Sequence, residues 1–227
     1  MAIDDALLQD ADRTGGPTLR LYRWAPPCLS FGRNEPARSR YDRDAIERRG
    51  LDVVRRPTGG RAVWHDAELT YAVAAPVALF GTLAESYRAI HARLADALRA
   101  LGIRAELAAP RRAAAVGAGP CFAAPVGGEV LVDGKKVIGS AQVRRGTAFL
   151  QHGSILLNGS QDVISAVSRQ PSAVSSATSL SLVLGRTIDF PEVAEAIIAA
   201  WGTTFTDLHQ PPPTSTAFSD PAWTWRR

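Results

Sequence analysis

Three stretches of this sequence combine residue types that can do chemistry. Gly119-Pro120-Cys121-Phe122-Ala123-Ala124-Pro125 puts a cysteine in a turn bounded by prolines. A lone cysteine is commonly a small buried apolar residue, but a nearby cation stabilises the thiolate and makes it a nucleophile. Such a cation follows in Asp133-Gly134-Lys135-Lys136-Val137-Ile138-Gly139-Ser140-Ala141. Lys135 and Lys136 are the only lysines among 26 basic residues, the rest being arginine. An ammonium kept in an arginine-rich chain points to a role that a broad guanidinium cannot fill. The plainer reading is two solvated lysines at a hairpin end. Alternation places Lys136, Ile138 and Ser140 on one strand face and Lys135, Val137 and Gly139 on the other. The third stretch is Arg55-Arg56-Pro57-Thr58-Gly59-Gly60-Arg61-Ala62-Val63-Trp64-His65-Asp66. Glycines let a ligand or another backbone come close, and the flanking arginines can neutralise a phosphate or carboxylate. Here too a plain alternative stands, a Gly-Gly hairpin with solvated arginines.

Other chemistry finds little support. Cys28 lies in an apolar strand, and two distant cysteines do not make a disulfide framework. His65, His91, His152 and His209 have no metal-ligand spacing. Neither GxGxxG nor GxxxxGK[ST] occurs, so no nucleotide loop is signalled. The net charge is +4, but the arginines are scattered among acids without a basic block or aromatic interleaving, which disfavours nucleic acid as a partner. No apolar run approaches the ~18–20 residues of a membrane span. Asp4 and Asp5 directly after Met1 argue against a secretory signal, so a cytoplasmic protein is expected.

The elements that must position these residues can be read along the 227-residue chain, whose 46% hydrophobic and 21% charged content is that of a globular protein. A helix is predicted over Ala2–Asp12, stopped by Gly15-Gly16-Pro17, with strands at Thr18–Trp24 and Cys28–Phe31. An Asp-capped helix follows at Asp42–Arg49, then strands at Leu51–Arg56, Ala62–Trp64 and Leu69–Ala75. Thr82–Leu101 is the clearest helix, with a stripe of Leu83, Tyr87, Ile90, Leu94, Leu98 and Leu101. A strand at Ile103–Leu107 precedes an Ala/Gly/Arg loop at Ala108–Pro120. Asp133-Gly134 signals a two-residue hairpin, so Glu129–Val132, Lys136–Val143 and Thr147–Leu157 read as a three-strand meander. Helices are expected at Gln161–Arg169, Thr178–Leu184 and Pro191–Phe205, and an extended tail over about residues 206–227. This pattern predicts one α+β domain over residues 1–227, a mixed sheet flanked by helices.

Met1-Ala2-Ile3-Asp4-Asp5-Ala6-Leu7-Leu8, Leu29-Ser30-Phe31-Gly32-Arg33-Asn34, Arg55–Asp66, Asp133–Ala141 and Gln151-His152-Gly153-Ser154-Ile155-Leu156 resemble, in order, the blocks of the biotin/lipoate protein ligase superfamily. Beyond Leu157 the likeness is only a general helical character. In lipoate ligases the lysine matching Lys136 contacts an acyl-adenylate; in octanoyltransferases it sits beside an acyl-accepting cysteine. Ligases typically read Gly-Asn after His-Asp, whereas this chain reads Ala67-Glu68-Leu69-Thr70-Tyr71, similar to octanoyltransferases of the Gram-positive type and their amidotransferase relatives. These also carry Cys-Phe-x-Ala-Pro, as at Cys121. The other octanoyltransferase type places its cysteine where Phe149 stands here. The chain departs from the pattern at Val126-Gly127-Gly128-Glu129, where an aromatic pair is usual before the Glu. It also starts at the helix where the family has a preceding strand, so that strand is either absent or encoded upstream, and it is too short for the extra C-terminal domain of many ligases.

The resemblance implies a biotin/lipoate protein ligase-like fold and an octanoyltransferase. An octanoyl group would pass from acyl carrier protein through a Cys121 thioester to a lysine of a lipoyl-accepting protein, either a lipoyl domain of a 2-oxoacid dehydrogenase or the glycine cleavage H protein. Lys136 would stabilise the thiolate. The implied substrate-binding residues are Arg56, Thr58, Gly59, Gly60, Arg61 and His65, then Gly139, Ser140 and Ala141, then His152 and Gly153. Thr58–Arg61 would line an elongated apolar pocket also bounded by Gly139 and His152. His65 and His152 are open either as bases for aminolysis or as histidines that hold a loop. Arg61 can instead meet the acidic surface of the carrier protein. No cofactor and no metal are expected. The alternatives are an ATP- and magnesium-dependent lipoate ligase, with Arg56–Arg61 as an adenylate loop, and an amidotransferase passing octanoyl between lipoyl-accepting proteins.

Overall fold

The computed structural model describes residues 1–109, 128–169, 177–202 and 218–226. In chain order its elements are helix α1 (Ala2–Thr14), strands β1 (Thr18–Tyr22) and β2 (Cys28–Phe31), helices α2 (Ala37–Arg40) and α3 (Arg43–Arg48), and strands β3 (Asp52–Arg55), β4 (Val63–His65) and β5 (Glu68–Pro76). Helix α4 (Leu83–Ala100) is followed by strands β6 (Ala105–Leu107), β7 (Val130–Val132), β8 (Lys135–Lys136), β9 (Ile138–Arg145) and β10 (Ala148–Leu156). Helices α5 (Asp162–Val167), α6 (Leu180–Leu184), α7 (Phe190–Trp201) and α8 (Pro221–Thr224) complete the order.

The largest sheet among the described residues is antiparallel, in the order β1-β5-β10-β9. Its two central strands are buried along nearly their whole length because both faces are covered. Leu7, Leu8 and Ala11 of α1 pack on Ala72, Ala74, Ala148 and Leu150. On the other face, Ile90, Leu94 and Leu98 of α4 and Val193, Ile197 and Trp201 of α7 meet Tyr71, Val73 and Phe149. A continuous apolar run such as Leu69–Ala75 is what a strand buried on both faces requires. Helix α4 starts where Thr82 and Glu85 form a capping box, the Glu85 amide donating to the Thr82 hydroxyl at 3.2 Å and the Thr82 amide to the Glu85 carboxylate at 2.8 Å. Two three-stranded sheets flank this body: β3-β2-β4, with β2 parallel to β3 and antiparallel to β4, and β6-β7-β8. The fold is a single α+β domain, its strand mixture lying in the small β3-β2-β4 sheet.

Three expectations need correction. The strand predicted over Lys136–Val143 is two strands. Lys136 closes the β7–β8 hairpin opposite Leu131, while Ile138 begins β9 and pairs with Ile155 of β10. Lys136, Val137 and Ile138 are therefore buried in succession, and the alternation of faces fails where the chain passes from one sheet into the other. The hairpin itself is as predicted, with Asp133 and Gly134 at φ +49° and +71°. The three-strand meander does not exist for the same reason: β7 pairs with β6 and β8, and β9 with β10. The extended tail is replaced at its end by α8, capped by Asp220 accepting from the Ala222 amide at 2.7 Å. Trp225 then packs edge-on against Phe31, with ring centres 5.3 Å apart.

Candidate active site

The paired arginines are spent on the backbone of their own surroundings. Arg55 is fully buried and its guanidinium donates to the carbonyls of Gly32 (2.6 Å), Glu35 (2.9 Å) and Thr224 (2.9 Å). Arg56 donates to the Ser30 carbonyl and hydroxyl (3.0 and 2.6 Å) and to the carbonyls of Gly59 (3.0 Å) and Arg61 (2.7 Å). A delocalised cation with five donors suits this bracing of a loop. The reading of both arginines as anion neutralisers is corrected to that extent, although Arg56 still borders a cavity. Gly60 has φ +93°, and a Cβ at Gly32 would collide with its carbonyl, so the loop is laid directly on the β2 turn.

His152 of β10 lies on the main-sheet face under α1, and His65 of β4, in the neighbouring sheet, reaches Glu68 and Ser154 of the main sheet; protein partners occupy both ring nitrogens of each. His152 Nε2 meets the Thr58 hydroxyl at 2.7 Å and its Nδ1 meets Asp4 at 3.0 Å. Burial lowers the His152 pKa in spite of Asp4, so the ring is neutral, donates from Nδ1 to Asp4 and accepts from Thr58. Burial pushes the Asp4 carboxyl up, but the His152 hydrogen bond and neighbouring positive charges, Arg20 among them, outweigh it and hold Asp4 well below the usual carboxylate range. His65 Nε2 lies 2.6 Å from the Ser30 hydroxyl and its Nδ1 2.7 Å from Glu68, while Trp24 stacks on the ring at 4.5 Å. Of the two roles left open for His65 and His152, this geometry matches the holding of a loop.

The opposite sheet face carries a second polar network. Ser140 Oγ is bonded by Tyr71 Oη (2.7 Å) and His91 Nε2 (2.8 Å). In the strand register Gly153 lies between Ser140 and Tyr71, and its missing side chain leaves the space across which they bond. Gln151 donates to the Tyr71 hydroxyl at 2.9 Å, and Gln142 donates to Gln151 at 2.7 Å. Burial, reinforced by the charge of Lys136, drives the His91 imidazole down to about 3. Lys136 and Glu129, each 3% exposed, form an ion pair at 2.6 Å. The Tyr87 hydroxyl reaches the same Glu129 oxygen at 3.5 Å.

Two cavities meet along Ser140 and Ala141. The wide one, about 780 Å³, is bordered by Gly59, Gly60, Leu83, Tyr87, Glu129 and Gln142. It is also bordered by Leu107–Ala109 and Gly128, the residues on either side of 110–127, and these two ends are tied by Ala108 N to Glu129 O and Gly128 N to Ala108 O, both 2.8 Å. The narrow one is lined by Met1, Arg56, Val63, His65, Gly139, His152 and Gly153. The single pocket expected over Thr58–Arg61, Gly139 and His152 is thus two, because β9 stands between them. Thr58 is buried against His152, and Arg61 lends its carbonyl to Arg56. Cys121 and its expected approach to Lys136 lie outside the described residues. Burial pushes the Cys28 thiol up to about 12, so it is no nucleophile at neutral pH.

Sequence reasoning missed Asp4, Tyr71, Glu129, Gln142 and Gln151, and set His91 aside. Only His91 left a signal, its i, i+4 spacing from Tyr87, against which it packs edge-on at 4.1 Å.

The lipoyl protein ligase A/B catalytic domain family matches residues 1–202. A relative called octanoyltransferase LipM in Carboxydothermus hydrogenoformans is 48% identical over 161 residues, covering 69% of this chain and 60% of the relative. Its namesake in Kyrpidia tusciae is 45% identical over 181 residues, covering 76% and 66%. The chain therefore spans less than two thirds of the length of either. A crystal structure of lipoate-protein ligase A bound with ATP superposes with a TM-score of 0.75 at 25% identity, over 89% of this chain and 78% of that one.

Proposed function

Because this chain belongs to the lipoyl protein ligase A/B catalytic domain family, we propose that it is an octanoyltransferase of protein lipoylation. It would take octanoyl from acyl carrier protein, hold it as a Cys121 thioester and pass it to a lysine of a lipoyl domain or of glycine cleavage H protein. The observation that carries this reading is the wide cavity. Its volume lies in the range of small-ligand sites, the Gly59–Gly60 turn forms one wall, and Glu129 of the Lys136–Glu129 pair borders it. Burying the methylenes of an octanoyl chain is worth roughly 5 kcal/mol at about 0.8 kcal/mol each.

In this mechanism the Cys121 thiolate attacks the carrier thioester, and one thioester replaces another with little driving force required. The Lys136 ammonium favours the thiolate electrostatically. Backbone amides near Gly139-Ser140 or of the Gly59–Gly60 turn would hold the oxyanion. The acceptor amine then attacks the enzyme thioester, and nitrogen replaces sulfur. Neither metal nor nucleotide takes part. The structural likeness to an ATP-bound lipoate ligase favours a second reading, in which free acid is activated by ATP.

One experiment separates the two. The protein is incubated with octanoyl carrier protein alone and its intact mass measured, and lipoyl-domain acylation is then assayed with wild type and Cys121→Ser under both donor conditions. The transferase reading expects one hydroxylamine-labile octanoyl group on wild type and none on Cys121→Ser. ATP-driven acylation that survives Cys121→Ser, without transfer from the carrier, would establish the ligase instead.

A further inference from the structure

We propose that Arg55 is a positioning residue: its guanidinium carries the docking of the C-terminal turn, residues 218–226, across the small sheet to the Gly59–Gly60 wall of the wide cavity. The inference rests on the reading of that cavity as the acyl site. Arg55 does not itself border the cavity, so its effect on a substrate passes through the segments it holds.

Strand β3 ends the β3-β2-β4 sheet, and an end strand leaves main-chain groups without a ladder partner. At Arg55 the C-terminal turn supplies both partners. The Arg55 amide donates to the Phe218 carbonyl at 2.9 Å, and Trp223 Nε1 donates to the Arg55 carbonyl at 2.9 Å. The side chain adds a third bond to the same turn, from Nε to the carbonyl of Thr224, 169 positions away in sequence. The other end of the guanidinium, Nη1, donates to the carbonyls of Gly32 and Glu35 at 2.6 and 2.9 Å. One rigid planar group therefore ties the C-terminal turn to the turn after β2.

The turn after β2 is the seat of the cavity wall. The Arg33 amide donates to the Thr58 carbonyl at 2.7 Å, and Gly32 lies so close to the Gly60 backbone that no Cβ fits between them. Arg56 sets the shape of the loop from within, through the carbonyls of Gly59 and Arg61. Arg55 sets where that shape sits. A Cβ on Gly59 would meet nothing within 4 Å, so the loop is not buttressed on that side. An octanoyl chain binds by contact along its methylenes. A wall displaced by a methylene's length uncovers one or two of them, each worth about fourfold in affinity. Loss of the brace would thus weaken acyl binding without touching a reacting group.

The test measures transfer from octanoyl carrier protein to a lipoyl domain by wild type, Trp223→Phe and Arg55→Lys. Trp223→Phe removes the donor to the Arg55 carbonyl and keeps an aromatic ring. Arg55→Lys keeps the charge, but an ammonium is a single point and cannot span both turns. KM for the octanoyl carrier should rise about fourfold in folded Trp223→Phe and up to about 15-fold in folded Arg55→Lys, with kcat little changed. A merely structural role would lower the folded fraction, so that kcat would fall and KM stay. Trp223→Phe carries the test if Arg55→Lys does not fold. The coupling also runs in reverse: octanoate bound to wild type should slow hydrogen exchange in residues 218–226 as well as in the Gly59–Gly60 loop. Unchanged KM in the folded variants, or protection confined to the Gly59–Gly60 loop, would overturn the positioning role alone. Absence of transfer by wild type would instead overturn the acyl-transfer reading, and this proposal with it.

Discussion

His91 gives a quantitative test of the network beneath Ser140. Its ring is buried between α4 and β9, and the proton it would accept near pH 6.5 in an unfolded chain is refused by the folded protein until about pH 3. Below pH 6.5 the unfolded state therefore binds a proton that the folded state does not. Stability falls as pH falls, by up to about 1.4 kcal/mol per pH unit, until the folded ring itself titrates. Between pH 7 and pH 5 this single group should remove about 2 kcal/mol. His91→Gln keeps a polar atom near Nε2 for Ser140 and abolishes the titration. Urea unfolding of wild type and His91→Gln at both pH values isolates the effect, because the other titrating groups, His152 included, are common to both proteins. Wild type should lose about 2 kcal/mol more than the variant on going from pH 7 to pH 5. Equal losses would mean that His91 is hydrated or already charged when folded, and the account of the buried Ser140–His91 contact would fail.

Two further outcomes follow from packing. Gly32→Ala forces a Cβ onto the Gly60 backbone and should cost roughly 1–3 kcal/mol by denaturant unfolding, whereas Gly59→Ala, whose Cβ meets nothing within 4 Å, should leave stability nearly unchanged while narrowing the wide cavity. Trp225→Ala should cost about 3–5 kcal/mol and loosen the Arg55 guanidinium, since the same C-terminal turn supplies the Thr224 carbonyl; unchanged unfolding would show that the turn is not docked.

The parts of the fold that were legible are those whose signals are local. Thr82 and Glu85 mark the start of α4 by satisfying its own first amides, and Asp133-Gly134 marks a turn because its backbone conformation suits few other pairs. Cys28–Phe31 was read with its observed bounds because prolines and glycine flank it. The change of sheet at Val137 was not legible, since a residue covered on both faces looks the same within one strand or between two. Glu129 could not be read as a partner of Lys136 until the register was known. Asp4 and His152 are 148 positions apart, and nothing in either neighbourhood announces the other. The arginine stretch was legible as a special loop but not as one braced from within, because sequence shows a guanidinium but not the carbonyls around it.

The two faces of the main sheet divide the polar residues in a way that bears on the second half of the proposed reaction. On the α1 face His152 has both ring nitrogens bonded, as does His65 of the adjoining β4, and on the α4 face His91 is held neutral against Ser140. Among the described residues, then, no histidine borders the wide cavity as a proton acceptor. Acyl transfer from sulfur to nitrogen does not need one at the bond-making step. The amine enters as a neutral nucleophile, the tetrahedral adduct carries its excess proton on nitrogen, and the thiolate that leaves is itself the base that accepts it. Under the proposed mechanism the site has only to supply a positive charge that eases the departure of sulfur, the part proposed for Lys136.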